Sequence, residues 1–226
     1  MTTNFFKLSL VISLFVVGVG TDAIGQSGAA VHPTTPAKTE SKLMDRGQLD
    51  GVNYRNNFFG LSLSVPQTWV VVSAQRSATI VEQTNKQVTG DQKKKEVIDD
   101  SIQRSVILLS LTKLAAGEPN NASFMLIAER IPSPSIKTGV DVIQSMENAF
   151  KGTNYNLEFQ AQTQTERVGG AEFGVATVKN TSPNGTFLQK IYVTTKNGYA
   201  LELFYTYQDD ADLAALTSIV GTMKMK

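Results

Sequence analysis

The chain has 226 residues, 41% of them apolar and 18% charged, and its 21 basic and 20 acidic side chains leave a formal charge of +1. That balance supplies no net attraction to nucleic acid or to an anionic membrane surface. Cysteine is absent, which removes disulfides, thiolate nucleophiles and thiolate metal sites, so the core must hold by packing alone.

At the N-terminus, Lys7 precedes the apolar run Leu8–Val19, and the small residues Ala23 and Gly25 follow. A charged start, a short apolar stretch and small residues make a secretory signal, with cleavage expected after Gly25. The run falls short of the ~20 apolar residues that cross a bilayer. The sequence therefore divides into a signal over 1–25, a flexible leader over 26–50 and one folded domain over 51–226. The mature protein is expected to be exported, periplasmic or extracellular, with no stable membrane anchor after cleavage. Pro33 and Pro36 interrupt the leader, which is rich in Ser, Thr and Gly and has no apolar period. His32, the only histidine, lies in it. Histidine general-base chemistry and most zinc or non-haem iron sites are thereby removed from the domain.

The domain opens on Phe59, Leu61, Leu63 and Val65 alternating with Gly60, Ser62 and Ser64, the period of a half-buried strand. Pro66 stops the ladder, and Trp69–Val72 reads as the return strand of an opening hairpin. Trp69 is expected as a core anchor under it. Thr79 and Glu82 have capping-box spacing for a short helix. Lys93–Lys95, Glu96, Asp99 and Asp100 read as the solvated face of a helix, with Lys95–Asp99 and Glu96–Asp100 four residues apart and Val97, Ile98 and Ile102 carrying its apolar side. Central strands are expected at Arg104–Leu111 and Ser123–Glu129, on either side of the turn cluster Gly117–Asn121. Thr138 caps a helix with Asp141 in its first turn, an apolar face of Val142, Ile143, Met146, Ala149 and Phe150, and Gly152 placed to end it.

Three turn dipeptides organise the rest. Gly169-Gly170 joins Leu157–Arg167 to Glu172–Lys179, Asn184-Gly185 links onward, and Asn197-Gly198 joins Phe187–Thr195 to Tyr199–Tyr207. A two-residue turn at Asn197-Gly198 pairs Tyr192 with Leu203 and Lys190 with Tyr205. Leu188, Tyr192, Leu201, Leu203, Tyr205 and Tyr207 then share one face, with Ile191, Val193 and Phe204 on the other. Both faces are apolar and need cover. Asp209 caps a last helix whose Leu213, Leu216, Val220 and Met223 form a narrow seam. The fold class is α+β, a central antiparallel β-sheet flanked by helices in an α-β-α sandwich.

Tyr54, Asn56, Gly60, Val65, Pro66 and Trp69 at the start, Gly169-Gly170 in the middle, and Tyr199–Phe204 leading into Leu213–Met223 carry a resemblance. On these residues the chain resembles the PsbP-like family, named for an extrinsic subunit of photosystem II, over nearly all of Gly51–Lys226. The resemblance implies an antiparallel sheet between helices and action by binding other proteins. Histidine-based metal contacts of the plant branch have no counterpart here, and no functional residue is carried over.

Ser110-Leu-Thr-Lys113 and Lys137-Thr-Gly139 match two signatures of penicillin-recognising serine enzymes. The serine falls in an apolar strand rather than at a helix start, the interval is too short for a helical subdomain, and an S-D-N element is missing. Glu129, Glu158, Glu172 and Glu202 fall in or beside strands, but their spacing brings no two of them together. Glu202 projects with Phe204 and opposite Val193, and is expected at a strand end that reaches water. No catalytic, cofactor-binding or metal-ligating residue is singled out, and no cofactor is expected. The sequence reads as a non-catalytic domain that binds an unknown protein or envelope component. A small-molecule or lipid carrier with a cavity between sheet and helix, and a histidine-free hydrolase, are the alternatives from other classes.

Overall fold

Strand is the dominant element in the computed structural model, which describes residues 44–73, 75–77, 99–115, 118, 121–150, 157–182 and 185–226. The first half contributes β1 (Gln48–Asp50), β2 (Asn53–Asn56), β3 (Leu61–Ser64), β4 (Val70–Val71), β5 (Ser105–Thr112), β6 (Ser123–Arg130) and helix α1 (Gly139–Phe150). The second adds β7 (Leu157–Phe159), β8 (Gln164–Val168), β9 (Ala171–Ser182), β10 (Gly185–Lys196), β11 (Tyr199–Tyr207), helix α2 (Asp210–Gly221) and β12 (Lys224–Met225). A small sheet runs β1-β2-β3-β12; an eight-stranded sheet runs β4-β5-β6-β11-β10-β9-β7, with β8 also on β9. All pairings are antiparallel.

The opening hairpin expected from Phe59–Val72 does not form. β3 has β2 on one side and β12 on the other, so no edge is left for a return strand. Pro66 instead marks a crossover: Trp69 N–H donates to the Pro66 carbonyl at 3.1 Å, and β4 leaves for the edge of the large sheet, pairing with β5. Gln48–Asp50, placed in the leader by composition, form β1 and pair with β2. Just before it, the Tyr54 hydroxyl donates to the Arg46 carbonyl at 2.8 Å and Asn56 Nδ2 to that of Asp45 at 2.8 Å. The strand expected over Leu157–Arg167 is broken into β7 and β8. Phe159 pairs with Val178 and Gln164 with Val175, so residues 160–163 stand against Ala176 and Thr177 alone and bulge from the ladder. Thr79, Glu82, Lys93–Lys95, Glu96 and Gly152 lie outside the described residues, as does His32.

The β10–β11 register is as the turn chemistry requires, with Tyr192 opposite Leu203 and Lys190 opposite Tyr205. Asn197 and Gly198 both take positive φ, 53° and 81°, which twists the turn to match the strands. Each face of the large sheet has its own core. On one, Tyr192, Leu201, Leu203 and Tyr205 pack with Tyr54 and Leu63 from the small sheet, Phe59 from its β2–β3 turn, and Leu216, Ile219 and Val220 from α2. On the other, Met125, Ile127, Ile191, Val193 and Phe204 pack with Val142, Ile143 and Met146 of α1. The expected sandwich is thus met in part, since helices are few and one cover is a second sheet together with α2.

The seating of α1 is decided by two glycines. A Cβ on Gly139 would stand 1.7 Å from the Val193 carbonyl oxygen, and one on Gly174 would stand 2.6 Å from the carbonyl carbon of Gly139. Helix and sheet touch backbone to backbone here, a distance that only glycine permits. Thr138 and Asp141 close the helix start reciprocally: the Thr138 hydroxyl accepts from Asp141 N–H at 3.2 Å and Asp141 Oδ2 from Thr138 N–H at 2.8 Å. At α2, Asp209 Oδ1 accepts from Asp212 N–H at 2.8 Å.

Candidate functional site

The residues that mimic a serine-enzyme signature fasten helices to the sheet. Ser110 is buried on β5 opposite Met125. Lys113 reaches the buried Asp212 in the first turn of α2, Nζ to Oδ1 2.6 Å, and this carboxylate bond holds the ammonium above the usual lysine value. Thr138 is the cap of α1 and Gly139 its contact with β10. Lys137 N–H is drawn into the same cap through Asp141 Oδ2 at 3.0 Å. These amide bonds hold the Asp141 carboxyl below its ordinary range.

Glu158 and Glu172 are exposed on β7 and β9, whereas Glu129 and Glu202 are both fully buried and meet. β6 pairs with β11 so that Ala200 faces Glu129 and Ile127 faces Glu202. The two acids are therefore diagonal neighbours on the α1 side of the sheet. Glu129 is served by the helical residues 99–104: Arg104 Nη2 donates to its Oε1 at 2.9 Å and the Ser101 hydroxyl to its Oε2 at 3.5 Å. Arg104 also binds Asp100 one turn back. Neither oxygen of Glu202 has a hydrogen-bond partner among the described residues. Burial first, and the Glu129 charge second, push its carboxyl well above the ordinary value of 4.5.

The expectation that Glu202 reaches water is thus overturned. The hairpin end is not open, because the Thr195 hydroxyl donates to the Lys137 carbonyl at 2.6 Å and Ile131 N–H to that of Gly198 at 3.0 Å, so the approach to α1 covers it. Spacing could not bring the acids together either, since β6 and β11 are distant in sequence and only their pairing joins them. The missing signal was the β6–β11 register.

A second polar group sits on the opposite face. The Tyr192 hydroxyl donates to Glu166 Oε2 at 3.1 Å, and Lys190 Nζ lies 4.9 Å above the Tyr192 ring and 3.6 Å from Glu166 Oε1. Tyr205, its ring 5.5 Å from that of Tyr192, keeps a buried hydroxyl without a partner among the described residues, and burial pushes its pKa up. Trp69 is 9% exposed within the same core, a core residue as expected, although the hairpin it was expected to lie under does not form. Among the described residues, no three potential ligands gather around one metal position, and no helix is long and apolar enough to cross a membrane.

The large hydrophobic side chains exposed among the described residues are Val70 at 42%, Val71 at 50% and Leu114 at 45%. They occupy one edge. β4 ends the large sheet, with β5 as its partner among the described residues. Trp69 and Val72, buried on either side, hold it in place. Leu114 lies two residues beyond Thr112, the cross-strand partner of Val70. Its backbone is pinned by buried Asn121, which accepts from Leu114 N–H at 2.7 Å and donates to the Leu114 carbonyl at 3.1 Å.

No protein-family model and no curated protein sequence matches the chain. Solved structures do. A protein of Bacteroides thetaiotaomicron is 9% identical with a TM-score of 0.43, over 79% of this chain and 49% of that one, so this chain spans about half its length. Cyanobacterial PsbP from Synechocystis is 12% identical with a TM-score of 0.47, over 85% of this chain and 100% of that one. LpqN of Mycobacterium tuberculosis, described as involved in cell envelope biogenesis, is 12% identical with a TM-score of 0.43, over 74% of this chain and 83% of that one.

Proposed function

We propose that this chain is an exported, non-catalytic binding domain that takes an extended segment of a partner protein onto the β4 edge of its large sheet. The observation that carries this reading is the exposed Val70, Val71 and Leu114 on an edge strand anchored by buried neighbours. Natural sheets blunt their edges with charge or proline, and an edge left apolar invites an added strand. Main-chain hydrogen bonds would supply affinity, and the flanking valines would select apolar side chains in the added strand.

The test is a Val70→Lys/Val71→Lys double variant of the mature domain, compared with wild type for capture of proteins from envelope extract. Both side chains are solvent-exposed, so the fold should survive. Specific loss of captured proteins, with an unchanged circular dichroism spectrum, is the expected result. Capture indifferent to the substitution would overturn the edge reading, and covalent labelling of Ser110 by a β-lactam would overturn the non-catalytic one.

A further inference from the structure

We propose that Glu202, Glu129 and Arg104 form a proton-operated latch that docks the helical residues 99–104 on the large sheet while Glu202 is neutral and releases them when it ionises. The geometry has three parts. Glu129 is a fully buried carboxylate whose cation, Arg104, and hydroxyl donor, Ser101, both come from that helical stretch. Ile102 of the same stretch packs on the α1-side core. Glu202, one diagonal step from Glu129 on that face, is fully buried with both oxygens unpartnered among the described residues.

The surroundings decide which state Glu202 can hold. Its cross-strand neighbours are Val193 on β10 and Ile127 on β6, and Ala200 and Phe204 flank it on its own strand. The charged side chains on the elements packed over this face are, among the described residues, Glu129 from β6, Asp99, Asp100 and Arg104 from the helical stretch, the exposed Lys137 from the approach to α1, and Asp141 and Glu147 from α1. Arg104 is already shared between Glu129 and Asp100, and Asp141 is held by the amides of its own helix start. An anionic Glu202 would thus sit fully buried beside Glu129 with no cation of its own among the described residues. A buried charge without a partner is relieved by opening the site, and the cover that carries Glu129's partners is residues 99–104.

The direction follows from proton binding. Closed, Glu202 keeps its proton well above 4.5; opened to water, it returns to that ordinary value. A raised acid pKa makes the closed form firmest below the ordinary value and costs it stability as pH climbs toward the raised one. Across that interval the opening equilibrium should grow about tenfold per pH unit.

Hydrogen–deuterium exchange on the full mature chain tests this, read as protection factors for residues 99–106 so that base-catalysed exchange chemistry is divided out. Wild type should lose protection as pH climbs above Glu202's ordinary value of 4.5, by up to about tenfold per unit, while residues 201–207 stay protected. Glu202→Gln and Glu202→Leu should flatten the dependence, and Glu129→Gln, which frees Arg104 to serve Glu202, should weaken it. Wild-type protection independent of pH, or an unchanged dependence in either folded Glu202 variant, would overturn the latch. Should both variants fail to fold, infrared spectroscopy of wild type decides: a protonated-carboxyl band at neutral pH supports the latch, and its absence sinks it.

Discussion

Each face of the large sheet buries an apolar layer, the larger one against the small sheet and α2, and the two handle their polar atoms in opposite ways. Against the small sheet and α2, the polar atoms sit on aromatic side chains long enough to lead them to a rim: the Tyr192 hydroxyl reaches Glu166 and the Tyr54 hydroxyl the Arg46 carbonyl. Against α1 the core is mainly aliphatic, and its polar groups, Glu129, Glu202 and the Gln189–Thr206 pair joined at 3.1 Å, lie under cover within the sheet. An amphipathic ring can snorkel, whereas a glutamate on a central strand cannot leave the interior and must be paired or neutral. The aromatic face therefore gains stability from its polar tips at Tyr192 and Tyr54, but not at Tyr205. The α1 face carries a charge problem that Arg104 solves for one acid only.

The comparison breaks most completely at Gly139. Gly139→Val would place a branched side chain where even a Cβ meets the Val193 carbonyl at 1.7 Å, and the obstacle is backbone that cannot rotate away. We expect a loss above about 4 kcal/mol in urea unfolding, with α1 displaced and the α1 face exposed. Near-native stability would mean that α1 is not seated backbone to backbone. Next comes Arg104→Met, which keeps the aliphatic bulk and removes the cation. It leaves Glu129 charged and buried, with a cost of about 3 kcal/mol by chemical denaturation. If the variant matches wild type, Glu129 does not depend on that pair.

How much of this was legible in the sequence differs between the faces for a physical reason. The β10–β11 register, the caps at Thr138 and Asp209 and the inward set Val142, Ile143 and Met146 are local, fixed by turn residues and periodicity a few positions apart. The meeting of Glu129 with Glu202 is not local. It depends on a β6–β11 pairing across a helix and four intervening strands, and no spacing rule reaches that far. The opening hairpin failed for a related reason. Leu61–Ser64 and Val70–Val71 carry strand patterns that say nothing about which sheet each joins, and β12, distant in sequence, takes the edge that a hairpin would have used. Asp212 was missed as well, because its ion-pair partner, Lys113, stands just past β5 and not on the helix that carries Asp212.

Gly198→Val tests the hinge common to both faces. The turn holds φ at 81°, which a β-branched residue resists, although a Cβ there would meet nothing within 4 Å. The cost is therefore conformational rather than steric, about 1–3 kcal/mol in thermal unfolding. Both faces should lose stability together, because β10 and β11 contribute to both cores. An unaltered melting temperature would show that the turn tolerates another geometry.

The smallest effect is expected at Tyr205, the one tyrosine of the aromatic face whose hydroxyl is buried without a partner among the described residues. Folding strips water from that hydroxyl and returns no hydrogen bond, a penalty of about 1–3 kcal/mol for a group left unsatisfied. Tyr205→Phe removes the penalty and keeps the ring, 5.6 Å from Phe124 and 5.5 Å from Tyr192, losing only the dispersion contacts of one oxygen. Stability should stay within about 1 kcal/mol of wild type or rise. Tyr54→Phe is the matched control: its hydroxyl donates to the Arg46 carbonyl at 2.8 Å and accepts from Asn56 Nδ2 at 3.4 Å, so its removal should cost about 1 kcal/mol. If Tyr205→Phe instead lost about 2 kcal/mol or more, the Tyr205 hydroxyl would have to be hydrogen-bonded, and the aromatic face would hold a further buried polar contact beside that of Tyr54 with Asn56.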